Sequence, residues 1–163
     1  MDYLDLIEKY KIVFDAKPNA VPYNYRISYK VSQVCFIIYK SVGSKRGCSL
    51  LKIHMISFAL SSNDAKDKLI DFVHKEFKAP PIIRLDPAVD KAIVFAIADE
   101  LIEMSQNGKY LLTPKGNALV AQIDKETGLF VAEKSLLEKI AKKLPENKIS
   151  LLFEKWRETY AED

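Results

Sequence analysis

Between Arg26 and Val42 the apolar residues Ile27, Val31, Val34, Cys35, Ile38 and Val42 recur mainly at steps of three and four. That spacing puts side chains on one face of an α-helix, so a chain built this way folds by burying helical faces. The pattern returns behind Ser49, with Leu50, Ile53, Ile56, Ala59 and Leu60, and behind Ser61-Ser62-Asn63-Asp64, with Leu69, Ile70, Phe72, Val73 and Phe77. Serine or aspartate ahead of each run accepts bonds from the free amides of a helix start. Asp86-Pro87 and Thr113-Pro114 add a proline at the first helical position, where its missing N–H costs nothing. Only five glycines occur in 163 residues, too few for an architecture of many tight β-turns.

The rest of the chain reads as shorter pieces. Tyr3 to Tyr10 has a brief helical repeat, Lys11-Ile12-Val13-Phe14 reads as a strand, and Pro18 and Pro22 break it. Ala79-Pro80-Pro81 stops the third helix, and Ile82-Ile83-Arg84-Leu85 reads as a strand. The fourth helix is expected to carry Val89, Ile93, Ile97, Leu101 and Met104 inward and to end at Asn107-Gly108. Lys109-Tyr110-Leu111-Leu112 is a second strand, followed by a helix with Leu119, Val120 and Ile123. Two amphipathic segments close the chain, one opened by a capping box of Ser135 with Glu138, the other carrying Ile149, Leu152, Phe153 and Trp156. The fold class expected is mainly α with a small β element, a winged helix-turn-helix-like domain with additional C-terminal helices. It divides into an N-terminal arm (1–25), the winged-helix-like domain (26–126) and a C-terminal helical pair (127–163). The alternative is an irregular α bundle whose two β segments never pair.

Several function classes are disfavoured. His54, His74, Cys35 and Cys48 lack the spacings that place metal ligands on one turn, so no metal or other cofactor is expected. The glycine-containing run Ser41 to Ser49 is not a Walker A loop, because its second glycine comes too early and precedes Cys48. No Gly-x-Ser-x-Gly elbow is present, and Asp99-Glu100 reads as a solvated edge, so no catalytic residue is assigned and the chain is not expected to be an enzyme. With no apolar run near the ~20 residues that span a bilayer and no leader-like start, a cytoplasmic protein is expected.

Charge is the most informative feature. The net +3 conceals a stretch, residues 16–63, with seven bases (Lys17, Arg26, Lys30, Lys40, Lys45, Arg46, Lys52) and no acid, although 22 acids occur in the chain. A polyanion explains this, because lysine and arginine gain affinity by releasing counterions while carboxylates repel phosphate. An acidic protein partner explains it too, as do two largely buried helices with few surface positions for acids.

The stretch from Asp86 to Ile123, with its helix opening Tyr110-Leu111-Leu112-Thr113-Pro114-Lys115-Gly116, resembles the middle component of three-component ABC-ATPase antiphage defence systems. These include Lamassu-type systems built on an SMC-like ATPase. The helix start at Asn24-Tyr25-Arg26 and the helix of Leu50-Leu51-Lys52-Ile53 fit the same layout, so the resemblance covers about residues 20–125. It implies a non-enzymatic winged-helix-like adapter that links the coiled-coil ABC ATPase to an effector subunit, commonly a nuclease, and either helps sense foreign DNA or holds the effector inactive. Contact with double-stranded DNA, where made, is expected through phosphates. Residues expected at a DNA or polyanion surface are Arg26, Lys30, Lys40, Lys45, Arg46 and Lys52. Those expected at a partner-docking face are Ile149, Leu152, Phe153, Trp156 and Tyr160. The alternative is a free-standing winged-helix DNA-binding regulator. Against it, only Ser49, Lys52, His54 and Ser57 of the second helix are polar, too few for base readout.

Overall fold

The computed structural model describes residues 26–42, 46–75, 81 and 83–160. The expected helix and strand within 3–14, together with Phe77, Ala79, Pro80 and Ile82, lie outside the described residues. Helix α1 (Ile27–Val42) is the centre of the molecule, with α2 (Leu50–Ala59), α4 (Pro87–Ala98), α5 (Pro114–Lys125) and α6 (Val131–Ile140) packed around it. Its burial exceeds the single stripe expected. Val34, Cys35, Phe36, Ile37 and Ile38 are all buried in succession, which happens when a helix is covered on every side.

The capping signals act as read. Ser49 Oγ accepts from Lys52 N at 3.2 Å to open α2, and Ser62 Oγ from Ala65 N at 3.1 Å to open α3 (Asn63–His74). Asp86 Oδ1 accepts from Ala88 N at 2.9 Å to open α4, and Thr113 Oγ1 from Gly116 N at 3.1 Å to open α5. Each bond satisfies an amide that has no partner inside its own helix.

Three expectations about the elements are corrected. Residues Ile83 to Leu85 form no strand. Helix α4 stops at Ala98 instead of running to Met104, because Glu100 adopts a left-handed backbone at φ 59°. Glu100 N then donates to Ile97 O at 2.9 Å and Leu101 N to Ala96 O at 2.8 Å, the paired bonds of a Schellman ending without its usual glycine. Ile97 and Met104 are consequently exposed rather than inward. The third correction concerns α6, which begins at Val131, so Ser135 lies inside the helix and opens no capping box.

The residues released from the fourth helix make a strand. β1 (Ile102–Met104) pairs antiparallel with β2 (Tyr110–Leu112) in the register Ile102↔Leu112, Glu103↔Leu111, Met104↔Tyr110. The strand that pairs with β2 is thus Ile102–Met104 and not the expected Ile82–Leu85 segment, so no helix lies between the paired strands. Gly108 at φ 74° serves the turn between them, with its N–H donating to Ser105 O at 3.0 Å. Cys48 extends the sheet on the other side, exchanging bonds of 2.8 and 2.9 Å with Tyr110. The spatial order is therefore Cys48, β2, β1. The protein is mainly helical with a small antiparallel sheet.

The C-terminal segments pack on the same core. Leu136, Leu137 and Ile140 of α6, Leu144 after a short 3-10 turn (Ala141–Lys143), and Ile149 and Leu152 of α7 (Glu146–Tyr160) belong to one buried cluster with α1 and α2. The Lys134 ammonium reaches back to Ile123 O at 2.9 Å and Glu126 O at 2.6 Å, where a cation meets the carbonyls left open at the end of α5.

Candidate functional site

The basic residues expected on one surface are divided by the fold. Arg26 and Arg46 are exposed, and Lys45 lies outside the described residues. Lys30 is 8% exposed and belongs to an internal polar cluster, which corrects its assignment to a DNA surface. Its ammonium reaches Ser57 Oγ at 3.3 Å, Gln33 Oε1 at 3.4 Å and Asp86 Oδ2 at 3.6 Å. Gln33 Nε2 passes the network on to Glu133 Oε1 at 3.1 Å, and the Tyr29 hydroxyl donates to the same carboxylate. Buried polar groups need such partners, and these join α1, α2, α6 and the cap of α4. Lys40 pairs with Asp124 at 2.9 Å and lies over the Phe36 and Tyr39 rings, so it ties α1 to α5.

Lys52 is buried at 1% exposure, its ammonium donating to Ser41 O at 3.2 Å. Burial lowers its pKa from the usual lysine range, because desolvation disfavours the charged form. It lines a cleft of about 710 Å³ with Lys40, Arg46, Lys109 and Lys142, beside Pro145 and Glu146 at the start of α7. Four elements distant in sequence supply these cations: the end of α1, the segment before α2 together with its first turn, the β hairpin and the 3-10 turn. Glu146 Oε1 accepts from Ser49 N at 3.0 Å, which joins the openings of α2 and α7 at the cleft. Sequence reasoning missed Lys109 and Lys142, since each sits among residues of mixed charge and only the fold brings them here.

The docking residues divide as well. Ile149 and Leu152 are 2% and 6% exposed and belong to the core, which corrects their assignment to a partner face. Trp156 is half-buried against that core, Phe153 is exposed, and nothing is described of the Tyr160 side chain. A second apolar surface was not anticipated. Val94, Phe95 and Ile97 are exposed on α4, and Ile97 shares a shallow hollow with Met104, 62% exposed on β1. Expecting α4 to continue had placed Ile97 and Met104 in the core.

The remaining chemistry-bearing side chains have structural partners. His54 is buried between Asp90 Oδ1, 2.9 Å from Nε2, and Asp86 N, which donates to Nδ1 at 3.3 Å. One neutral tautomer satisfies both bonds, pinning α2 to the start of α4. No group of three or more His, Cys, Asp or Glu side chains able to hold a metal occurs among the described residues. No described helix is long and apolar enough to cross a membrane.

Cys35 and Cys48 are free and buried, and burial pushes both thiols up to about 12. Neither is a thiolate near neutrality, so both should resist alkylation until the chain opens. Unfolded thiols ionise near pH 8.5, whereas the folded ones keep their protons to about 12. Stability should therefore fall as pH rises across that window, by about 1.4 kcal/mol per pH unit for each thiol at the steepest. Lys52 works in the opposite sense: its lowered pKa makes the folded chain more favoured as pH rises through the ordinary lysine range. Denaturation midpoints of the parent and Cys48→Ala from pH 8 to 11 check this, and an equally steep alkaline decline in the variant contradicts it.

Compared with protein-family models, curated proteins and solved structures, the chain matches none.

Proposed function

We propose that this protein is a non-enzymatic adapter of winged-helix type, a subunit that joins an SMC-like ATPase to an effector in an antiphage defence complex. The Asp86–Ile123 resemblance motivates the reading, and the apolar surface on α4 and β1 is the observation that carries it. In a winged-helix domain a short strand between the first two helices joins the hairpin sheet on the side of the second hairpin strand. The order Cys48, β2, β1 matches that arrangement. On that reading α4, the helix leading into the hairpin, would stand where such a domain has its recognition helix, with α3 as one helix more than the usual two.

The exposed chemistry of α4 suits a protein better than DNA. Val94, Phe95 and Ile97 face solvent, with Asp99, Glu100 and Glu103 as the flanking acids, and Lys91 on the same helix and Lys115 at the hollow as the bases. Base edges require hydrogen-bonding side chains, and carboxylates repel phosphate, whereas exposed contiguous apolar groups are hallmarks of protein contact sites. DNA contact as a second reading is favoured by Arg26 and Arg46 and is confined to phosphates. Its measure is affinity for random duplex at two salt concentrations, where a flat response removes it.

Co-expression with an SMC-like ATPase of the proposed complex should retain the protein through purification. Val94→Asp and Ile97→Asp together should release it by at least about tenfold, since a charge placed in an apolar contact is desolvated without a partner. Both side chains are exposed, so thermal unfolding of the isolated variant should match the parent. An ATPase that never retains the parent protein sinks the adapter reading, and retention unchanged by the double variant moves the contact off this face.

A further inference from the structure

We infer that the cleft between the end of α1, the β hairpin and the start of α7 binds a ligand carrying two linked phosphates. This goes beyond the adapter reading and does not depend on it. The first observation is the cation set. Arg46, Lys52, Lys109 and Lys142 converge on one concavity, while Lys40 at its edge is already neutralised by Asp124. Among the described residues no carboxylate forms an ion pair with any of those four. Among the described residues Glu146 is the one acid lining the cleft, and it is engaged with the Ser49 amide. The charge left over is about three positive. A single phosphate monoester brings at most about two negative charges, so two linked phosphates match it more closely.

The second observation is independent of charge. Ser41 lines the cleft at 7% exposure, and its hydroxyl oxygen is buried without a hydrogen-bond partner, unique in this among the buried side-chain polar atoms described. Such an atom costs stability unless something else satisfies it. Its own carbonyl receives the Lys52 ammonium, which leaves that ammonium two further protons to donate. Lys52 is 1% exposed and the Ser41 hydroxyl oxygen is closed to solvent, so a phosphate oxygen gains these two donors once the cleft wall gives way. Helix α7 opens on the same space through Pro145, Glu146 and Asn147, and the positive end of a helix adds to the field.

The concavity also decides against a duplex backbone. A polyanion track needs cations spread along an exposed surface, yet Lys52 is buried and Lys30 is committed to the interior. The volume of about 710 Å³ falls within the range of small-ligand pockets.

Calorimetry on the full chain with inorganic pyrophosphate, at low and moderate salt, tests the site. Binding that weakens with salt is expected, with orthophosphate at least about tenfold weaker. Lys109→Ala with Lys142→Ala should lower pyrophosphate affinity by about tenfold or more. Both residues lie at the surface, so circular dichroism should show the fold retained. Ser41→Ala is the second variant: it removes an unsatisfied hydroxyl, so it should keep or raise the melting temperature while weakening pyrophosphate several-fold. ADP binding more tightly than pyrophosphate identifies a nucleotide, and ADP no tighter identifies an inorganic or chain-end diphosphate; either upholds the site. Absence of pyrophosphate binding at millimolar concentration, or affinity unchanged in the lysine variant, overturns it. So does random duplex DNA binding through the two lysines while pyrophosphate does not bind.

Discussion

Replacing Gly116 with alanine should destabilise the protein by about 3 kcal/mol, the upper end of what overpacking usually costs. A Cβ at this position would stand 2.0 Å from Leu101 O and 3.0 Å from its carbonyl carbon, both backbone atoms that no rotamer change can move. The two segments are also bonded together, since Thr113 N donates to Leu101 O at 3.0 Å and Gly116 N to the Thr113 hydroxyl at 3.1 Å. Moving α5 away to admit the methyl group breaks that junction just where the hairpin begins. Alanine favours a helix over glycine by about 1 kcal/mol, which offsets only part of the steric cost. Urea unfolding of G116A gives the answer, and a variant as stable as the parent would mean that α5 does not approach Leu101 this closely.

Phe36→Ala should cost about 3–5 kcal/mol, the range for removing a buried aromatic ring. Phe36 is fully buried on the central helix, its ring centroid 5.8 Å from that of Phe130 and 6.4 Å from that of Tyr39, with the Lys40 ammonium 5.6 Å above it. Phe130 in turn stacks on Tyr29 at 5.1 Å, so this cluster couples α1 to the turn before α6. Against a total stability of about 5–15 kcal/mol, the loss removes between about a fifth and all of it. Phe153→Ala is the matched control: that ring is 54% exposed, and its removal should shift stability by no more than about 0.5 kcal/mol. Equal losses from the two variants would contradict the burial described for α1 and α7.

Local interactions explain what was readable in the residues. The caps at Ser49, Ser62, Asp86 and Thr113 each act on an amide two or three positions ahead, so their energy depends on almost nothing distant. The periodicity of α1, α2 and α3 was equally plain, because helical burial repeats within a few residues. Where α4 ends was not. A glycine signals a left-handed ending through its missing Cβ, whereas Glu100 adopts that conformation at φ 59° with no such mark. The sheet supplies the compensation, since Ile102 to Met104 gain partners in β2 and Thr113 bonds to Leu101. The start of α6 was lost in a similar way, to a capping pattern at Ser135 that the tertiary contacts of Lys134 and Phe130 overrode.

The candidate sites show the same division. The acid-free stretch was visible as composition, and it does contain Arg46 and Lys52 of the cleft. Two of its other lysines behave differently, because Lys30 finds Gln33, Ser57 and Asp86 inside the protein and Lys40 finds Asp124. Helical spacing marked Ile149, Leu152, Phe153 and Trp156 as one amphipathic segment, and it could not say which of them meets the core.

Sequence alone determined the helical character of this protein, the positions of its caps and the one-signed charge of residues 16–63, all properties carried by neighbours along the chain. Tertiary structure alone decided which lysines are sealed inside, which apolar residues of α4 and β1 face water, and that Lys109 and Lys142 meet Lys52 across one cleft. Burial is a relation between segments far apart in the chain, and a local pattern holds no information about the segment that will cover it.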